Sequence, residues 1–236
     1  MADEFTTRTE IRAGLRDSWA VGLGLIPLGL AFGVLVVQTG FAWYWAPIFS
    51  VVIYAGSMEF LALNMITGGA SALTAAVTGL MINFRHIFYG LTFPRDVISS
   101  RVGRAYSTYA LTDECYAIVS RNDKLTGTRV LTVQVWCQVL WVGSGIIGAV
   151  SGQAIPDSVK GMEFALVALF VVLAWDSFRN NPDFSLPLLA GAVAVACAIV
   201  VPGHMLMVAL SVYFFILFAR HLSPALDSAL LWKRGR

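Results

Sequence analysis

Polar and charged residues lodged in apolar stretches are where this sequence can do chemistry, and three groups stand out. The first is Asn83-Phe84-Arg85-His86. An Arg or a His inside a hydrophobic helix carries a desolvation cost that a partner, a ligand or a water-filled path must offset. If the helix is continuous, Asn83 and His86 share a face and Arg85 points elsewhere. The plainer alternative is that Arg85 snorkels to the interface while Asn83 bonds a neighbouring helix. The second group is Tyr54-Ala55-Gly56-Ser57-Met58-Glu59-Phe60, with Asn64 one turn beyond Phe60. Glu59 is the kind of carboxyl that, inside a membrane, can take up and release protons. Gly56 and Ser57 permit close backbone approach, or a break whose freed carbonyls meet a ligand ammonium. Against this stands a small-residue packing face with Glu59 paired to Arg85 for structure alone. The third group is Thr112-Asp113-Glu114. Adjacent carboxylates repel when both are ionised, so one holds a proton or pairs with Arg101, Arg104 or Arg121. A solvated loop helix is the alternative here.

Pro27 marks a fourth place, within Gly22-Leu23-Gly24-Leu25-Ile26-Pro27-Leu28-Gly29. Pro removes a helix hydrogen bond and usually kinks the helix, and a broken helix at membrane depth is a pointer to a transport site. Gly29 and Gly33 also form a G-x-x-x-G pair, which serves close helix packing with no further role required. Enzyme signatures are missing: there is no G-x-S-x-G, H-E-x-x-H, P-loop or dinucleotide fingerprint. The three His, at 86, 204 and 221, have no metal-ligand spacing. Cys115, Cys137 and Cys197 read as small buried side chains. No catalytic group, metal or cofactor is expected, and uphill transport would run on an ion gradient or a partner rather than on ATP hydrolysed by this chain.

The elements that must position these residues are membrane helices. Of 236 residues 58% are hydrophobic and only 13% charged, about half the charge of a soluble domain. The net charge of +2 is too small to suggest a nucleic-acid partner. A bilayer core of about 30 Å asks for roughly 20 apolar residues per helix. Residues 18–37, 44–66, 73–92, 130–150, 162–175, 186–201 and 204–219 qualify as spans. Residues 104–120 carry Asp113 and Glu114 mid-segment and could form an eighth span, a re-entrant segment or a cytoplasmic helix. The bias of Lys and Arg toward cytoplasmic loops suits eight spans with both ends inside and seven with the N-terminus outside equally well. The basic residues Arg8, Arg12 and Arg16 before the first span favour a cytoplasmic N-terminus. Arg220, Lys233, Arg234 and Arg236 after the last span favour a cytoplasmic C-terminus.

The expected layout is therefore an all-α transmembrane bundle of seven or eight spans over residues 18–220. Residues 1–17 form a polar tail or surface amphipathic helix, with no cleaved signal peptide, and 221–236 a basic tail. Gly56-Ser57-Met58-Glu59-Phe60 is echoed by Lys160-Gly161-Met162-Glu163-Phe164, which suggests an internal repeat.

In order along the chain, GLIPLGLAFG at 24–33, YAGSMEF at 54–60, NFRHIFYG at 83–90 and LTDECY at 111–116 resemble the AzlC family. MEFALVALFVVL at 162–173 is similar to the family pattern too, and the resemblance covers about residues 10 to 220. Members of that family, also called LIV-E, are large subunits of bacterial branched-chain amino acid exporters. The resemblance implies a multi-pass protein of the bacterial inner membrane that exports leucine, isoleucine and valine, with methionine as a further candidate, on the proton motive force. It also implies a small hydrophobic partner of the AzlD type. Glu59 departs from the pattern, where glutamine is the expected residue, and this puts coupling or substrate preference in question.

A zwitterion with an apolar side chain needs an anion-binding group, an ammonium-binding group and an apolar wall. Arg85, or a half-helix N-terminus after Pro27, is a candidate for the carboxylate. Glu59, or free carbonyls near Gly56, are candidates for the ammonium, and Phe32, Phe60, Phe84 and Phe88 for the wall. Glu59 and Arg85 lie on consecutive helices and are expected to meet. The competing reading is a channel-like pore, or a structural subunit whose polar residues serve assembly.

Overall fold

A computed structural model describes residues 2–122, 125–155, 171, 174–175, 178–179 and 182–232. Every regular element among them is helical. The helices are α1 (Ala2–Gln38), α2 (Trp45–Val52), α3 (Gly56–Thr67), α4 (Ala72–Asn83), α5 (Arg85–Thr92), α6 (Arg101–Tyr109), α7 (Asp113–Val119) and α8 (Gly127–Gly152). After residue 182 come α9 (Ser185–Val200), α10 (Met205–Leu222) and α11 (Pro224–Leu230). Thr7–Gln38, Gly127–Gly152 and Met205–Leu222 are long and apolar enough to cross a membrane, and Ala72–Asn83 and Ser185–Val200 are shorter apolar helices.

The chain divides into two compact units. One holds α1–α3 and α5–α8, the other α4 and α9–α11.

The first unit is organised on α1 and α8. Gly14 lies against Thr132, Gly22 against Leu140, Gly33 against Gly145 and Ala149, and Gly152 against Val34. Both numbers rise together, so the two helices run parallel along their length. The approach is close because a Cβ at Gly33 would collide with the Gly145 carbonyl, and one at Gly148 with the Leu30 carbonyl. This packing explains why α1 is not broken at Pro27, contrary to expectation: the helix runs through it. Pro27 forfeits one backbone hydrogen bond, and contacts with α8 on either side hold the line of the helix. Residues 2–17 are the opening turns of the same helix. They are tied to the foot of α8 by Thr126 Oγ1 donating to Glu10 (2.7 Å) and Arg129 Nε donating to Asp17 (2.7 Å).

Two stretches, the expected span at 44–66 and the undecided segment at 104–120, fold back on themselves beside α8. In 44–66 the helix stops at Val52 and restarts at Gly56. Nine residues of straight helix would separate Ser50 from Glu59 by about 13.5 Å, yet the Ser50 hydroxyl donates to the Glu59 carboxyl at 2.7 Å. The chain bends back at 53–55, and Phe60 reaches the Phe32 ring, with centroids 5.3 Å apart. In 104–120, α6 rises from Gly103 beside Leu131 to Tyr106, whose hydroxyl donates to Gln138 at 2.7 Å. Then α7 descends until Asn122 accepts from Arg129 at 3.0 Å. Of the three alternatives for this segment, the geometry is that of a re-entrant hairpin. The first hairpin follows the end of α1, the second precedes the start of α8, so they enter from opposite ends.

Residues 73–92 were expected to be one helix. They form α4 and α5, with Phe84 between them in a turn. Phe84 keeps right-handed helical backbone angles (φ -53°, ψ -35°), so the interruption between Asn83 and His86 is slight.

In the second unit α10 packs on α4 and α9, and Phe84 meets Phe214 edge-on at 4.8 Å. Arg220, near the end of α10, is buried. It donates to Asp227 (2.9 Å), Ser185 (2.8 Å) and Asp183 (3.0 Å), so its charge is spent internally rather than marking a loop. Residues 223–232 fold back as α11, and the Trp232 N–H donates to Asp183 at 3.1 Å. The repeat copy at 160–164 lies outside the described residues.

Candidate functional site

The tips of the two hairpins meet partway along the α1–α8 pair. In the first tip Tyr54 is, among the described residues, the one non-glycine residue with positive φ, at 44°. Such a conformation costs on the order of 1–3 kcal/mol and persists only where surrounding contacts over-determine it. Here they do. The Tyr54 ring packs on Tyr109 with centroids 5.6 Å apart, and the Tyr109 hydroxyl donates to the Val51 carbonyl at 2.5 Å. Gln138 Nε2 in turn donates to that hydroxyl at 2.9 Å. In the second tip, Gln134 Nε2 donates to the freed carbonyls of Ser107 (2.9 Å) and Ala110 (3.2 Å). One face of α8 therefore fixes both turns.

Between the tips is a cavity of about 30 Å³, lined by Leu25, Tyr54, Gly56, Thr112, Glu114, Cys137 and Trp141. It is on the order of one or two water molecules in size, so an amino acid enters only if a wall moves. The chemistry of the lining is nonetheless complete. Gly56 opens α3, whose first N–H groups have no acceptor within the helix and form its positive end. Glu114 supplies a carboxylate. The Tyr54 hydroxyl makes no hydrogen bond among the described residues, although the residue is 94% buried (6% exposed). Leu25, Cys137 and the Trp141 ring are the apolar part.

The acidic residues singled out from sequence have three different fates. Glu59 is fully buried and accepts from the Ser50 hydroxyl (2.7 Å) and from the Trp141 indole N–H (3.0 Å). Asp113 is bound in a fork by Arg85, whose Nε donates to it at 2.8 Å while an amino nitrogen makes the ion pair. Glu114, one residue on, makes no ion-pair contact among the described residues; Thr112 and the Asp113-bound Arg85 are its neighbours, and it faces the cavity. The expected Glu59–Arg85 pair is thus replaced. The bend at 53–55 carries Glu59 back toward Ser50, and Arg85 opens α5 opposite the first residue of α7. Nor does Asp113 use Arg101, Arg104 or Arg121.

Of the other candidates, Ser57 is buried in α3 and Asn64 is exposed near its end. Asn83 Nδ2 caps back to the Gly79 carbonyl at 3.1 Å. His86 packs edge-on to Tyr89, with centroids 5.5 Å apart. Gly29 and Gly33 serve the α1–α8 contact, and Gly56 leaves room for the Trp141 ring. None of the four expected wall residues lines the cavity: Phe32 and Phe60 pack beside Trp141, Phe84 meets Phe214, and Phe88 is exposed.

A profile of the AzlC protein family matches residues 20–155, from the middle of α1 through α8, and so takes in every residue that lines the cavity. The chain belongs to the AzlC family. It is 28% identical over 211 residues to the branched-chain amino acid transport protein AzlC of Bacillus subtilis, covering 85% of this chain and 82% of that one. It is 29% identical over 193 residues to the inner membrane protein YgaZ of Escherichia coli, covering 77% and 79%. An uncharacterized membrane protein of Helicobacter pylori is 27% identical over 210 residues, covering 86% and 92%. No solved structure matches.

Sequence reasoning missed Trp141, Gln134, Gln138 and the role of Tyr54. A signal for the first three was present. Gln134, Gln138 and Trp141 recur at helical spacing along one face of an apolar span, where polar groups are expensive unless used.

Proposed function

We propose that this chain is a secondary transporter of the bacterial inner membrane that exports leucine, isoleucine, valine and similar hydrophobic amino acids. The proton motive force drives it, and it works with a small membrane subunit of the AzlD type. Support comes from membership of the AzlC family and from the name carried by the Bacillus relative. The observation that carries the reading is the meeting of a helix N-terminus and an unpaired carboxylate across one small cavity at the hairpin tips.

The substrate carboxylate lies against the first turn of α3 and the Tyr54 hydroxyl. Its ammonium faces Glu114, and its side chain takes the place of solvent beside Leu25 and the Trp141 ring. Because the cavity is smaller than the substrate, loading displaces a hairpin tip. A tip can move without unfolding a span, since each hairpin ends where it began. Transport rather than enzymatic turnover is the activity proposed, on the family and the name of the Bacillus relative.

Purified chain in proteoliposomes, with and without a co-expressed AzlD-like subunit, tests the reading. Labelled leucine should accumulate by counterflow against unlabelled leucine, and an imposed proton gradient should drive it uphill. No counterflow of any branched-chain amino acid in either preparation would sink it.

A further inference from the structure

Resting on that reading, we infer that Glu114 is the shared site of coupling: the substrate ammonium and a proton compete for its one carboxylate. Asp113 is neutralised by Arg85 in a two-pronged pair. Glu59 is enclosed away from the cavity by Ser50 and Trp141. Glu114 is the carboxylate left among the cavity-lining residues, and no cation lines the cavity with it. The groups that face it are Thr112, Asp113 and Arg85 from the second hairpin and α5, Tyr54 from the first hairpin, and Cys137 from α8.

A carboxylate in this setting is neutralised by an ammonium or by a proton, never by both. The unloaded, ionised form has the Thr112 hydroxyl beside it but no ion-pair contact of its own, and is costly in a small enclosed cavity. The protein therefore changes face with either substrate or proton aboard, which is exchange. In each cycle a proton bound at Glu114 from outside leaves on the inside as the incoming ammonium takes its place, and the amino acid leaves outward. The zwitterion carries no net charge, so one positive charge moves inward per cycle, and both the pH gradient and the membrane potential drive export.

The test uses purified full-length chain in weak buffer with a pH indicator and leucine as the ligand. For wild type, leucine should release up to about one proton per molecule bound, and its affinity should fall about tenfold for each pH unit on the acid limb. Glu114→Gln should bind leucine at least tenfold more weakly, with no proton release and no dependence on pH. Glu114→Asp keeps a carboxylate on a shorter stem and guards against a misfolded Gln variant. It should release protons with the half-point of the pH profile moved. Release and pH dependence that match wild type in either variant would overturn the assignment and leave the transport reading standing. Failure of wild type to bind leucine, isoleucine, valine or methionine would remove the transport reading, and the assignment with it.

Discussion

What a carboxyl group does in this protein is decided by its neighbours. Sequence identified Glu59, Asp113 and Glu114 as exceptional, because each is an acid in an apolar stretch. It could not assign them roles, because the partners Ser50, Trp141 and Arg85 come from other elements. Glu59 acts as a bolt between the first hairpin and α8. Glutamine at 59 retains an oxygen able to accept the Trp141 N–H, so Glu59→Gln should cost less than about 1 kcal/mol. Glu59→Ala strands two buried donors and opens a void, and should cost about 2–4 kcal/mol. Thermal unfolding in detergent distinguishes the two, and an altered pH profile of leucine transport in Glu59→Gln would show that the bolt also carries protons. In the second unit, burial pushes the Asp183 carboxyl up, but Ser185, the Trp232 N–H and Arg220 outweigh it and hold it down at about 2. A lowered value stabilises the fold above the ordinary carboxylate range and ceases to do so as pH falls through about 2. Thermal stability of wild type should therefore drop between pH 4 and pH 2, and Asp183→Asn should lose that dependence.

At the scale of elements, the apolar stretches were legible and their paths were not. A re-entrant hairpin of two short helices has the same length and composition as a single span, so hydropathy cannot separate them. The sequence pointed to Pro27 for a broken helix, but packing against α8 carried α1 through. The actual break at 53–55 contains neither Pro nor Gly and is held by Tyr109, which Gln138 of α8 supports in turn. The hairpins also lead to a prediction on a question that charge counting left tied. Because 104–120 returns to its starting end, Arg95, Arg101 and Arg104 lie at the same end of the first unit as Arg8, Arg12, Arg16, Arg121 and Arg129. A basic end of this size is predicted to lie in the cytoplasm. In a cysteine-free background, Thr9→Cys and Arg101→Cys should both react with an impermeant thiol reagent from the cytoplasmic side. Ala42→Cys, in the exposed link between α1 and α2, should react from the periplasm. Labelling of Arg101→Cys from the periplasm would show that 104–120 crosses.

At the scale of the whole molecule, the two units differ in how much each buries of itself. The first has a packed interior around Trp141, Phe32 and Phe60, together with a polar site. In the second, α9 buries Cys197 alone, and Gly191, Ala192 and Ala196 lie open on its surface. Apolar exposure says little in a bilayer, where lipid is as apolar as leucine; small residues say more, because they let another helix backbone approach closely. The small hydrophobic subunit implied by the AzlC family has the chemistry to use such a face. Co-expression with an AzlD-like chain should yield a complex that survives detergent purification, with leucine counterflow above that of the chain alone. Ala192→Leu with Ala196→Leu should reduce co-purification while leaving the pH dependence of leucine binding unchanged, since the cavity lies in the other unit. Full counterflow from the chain alone, with no gain from the partner, would make this a self-sufficient carrier whose α9 faces only lipid.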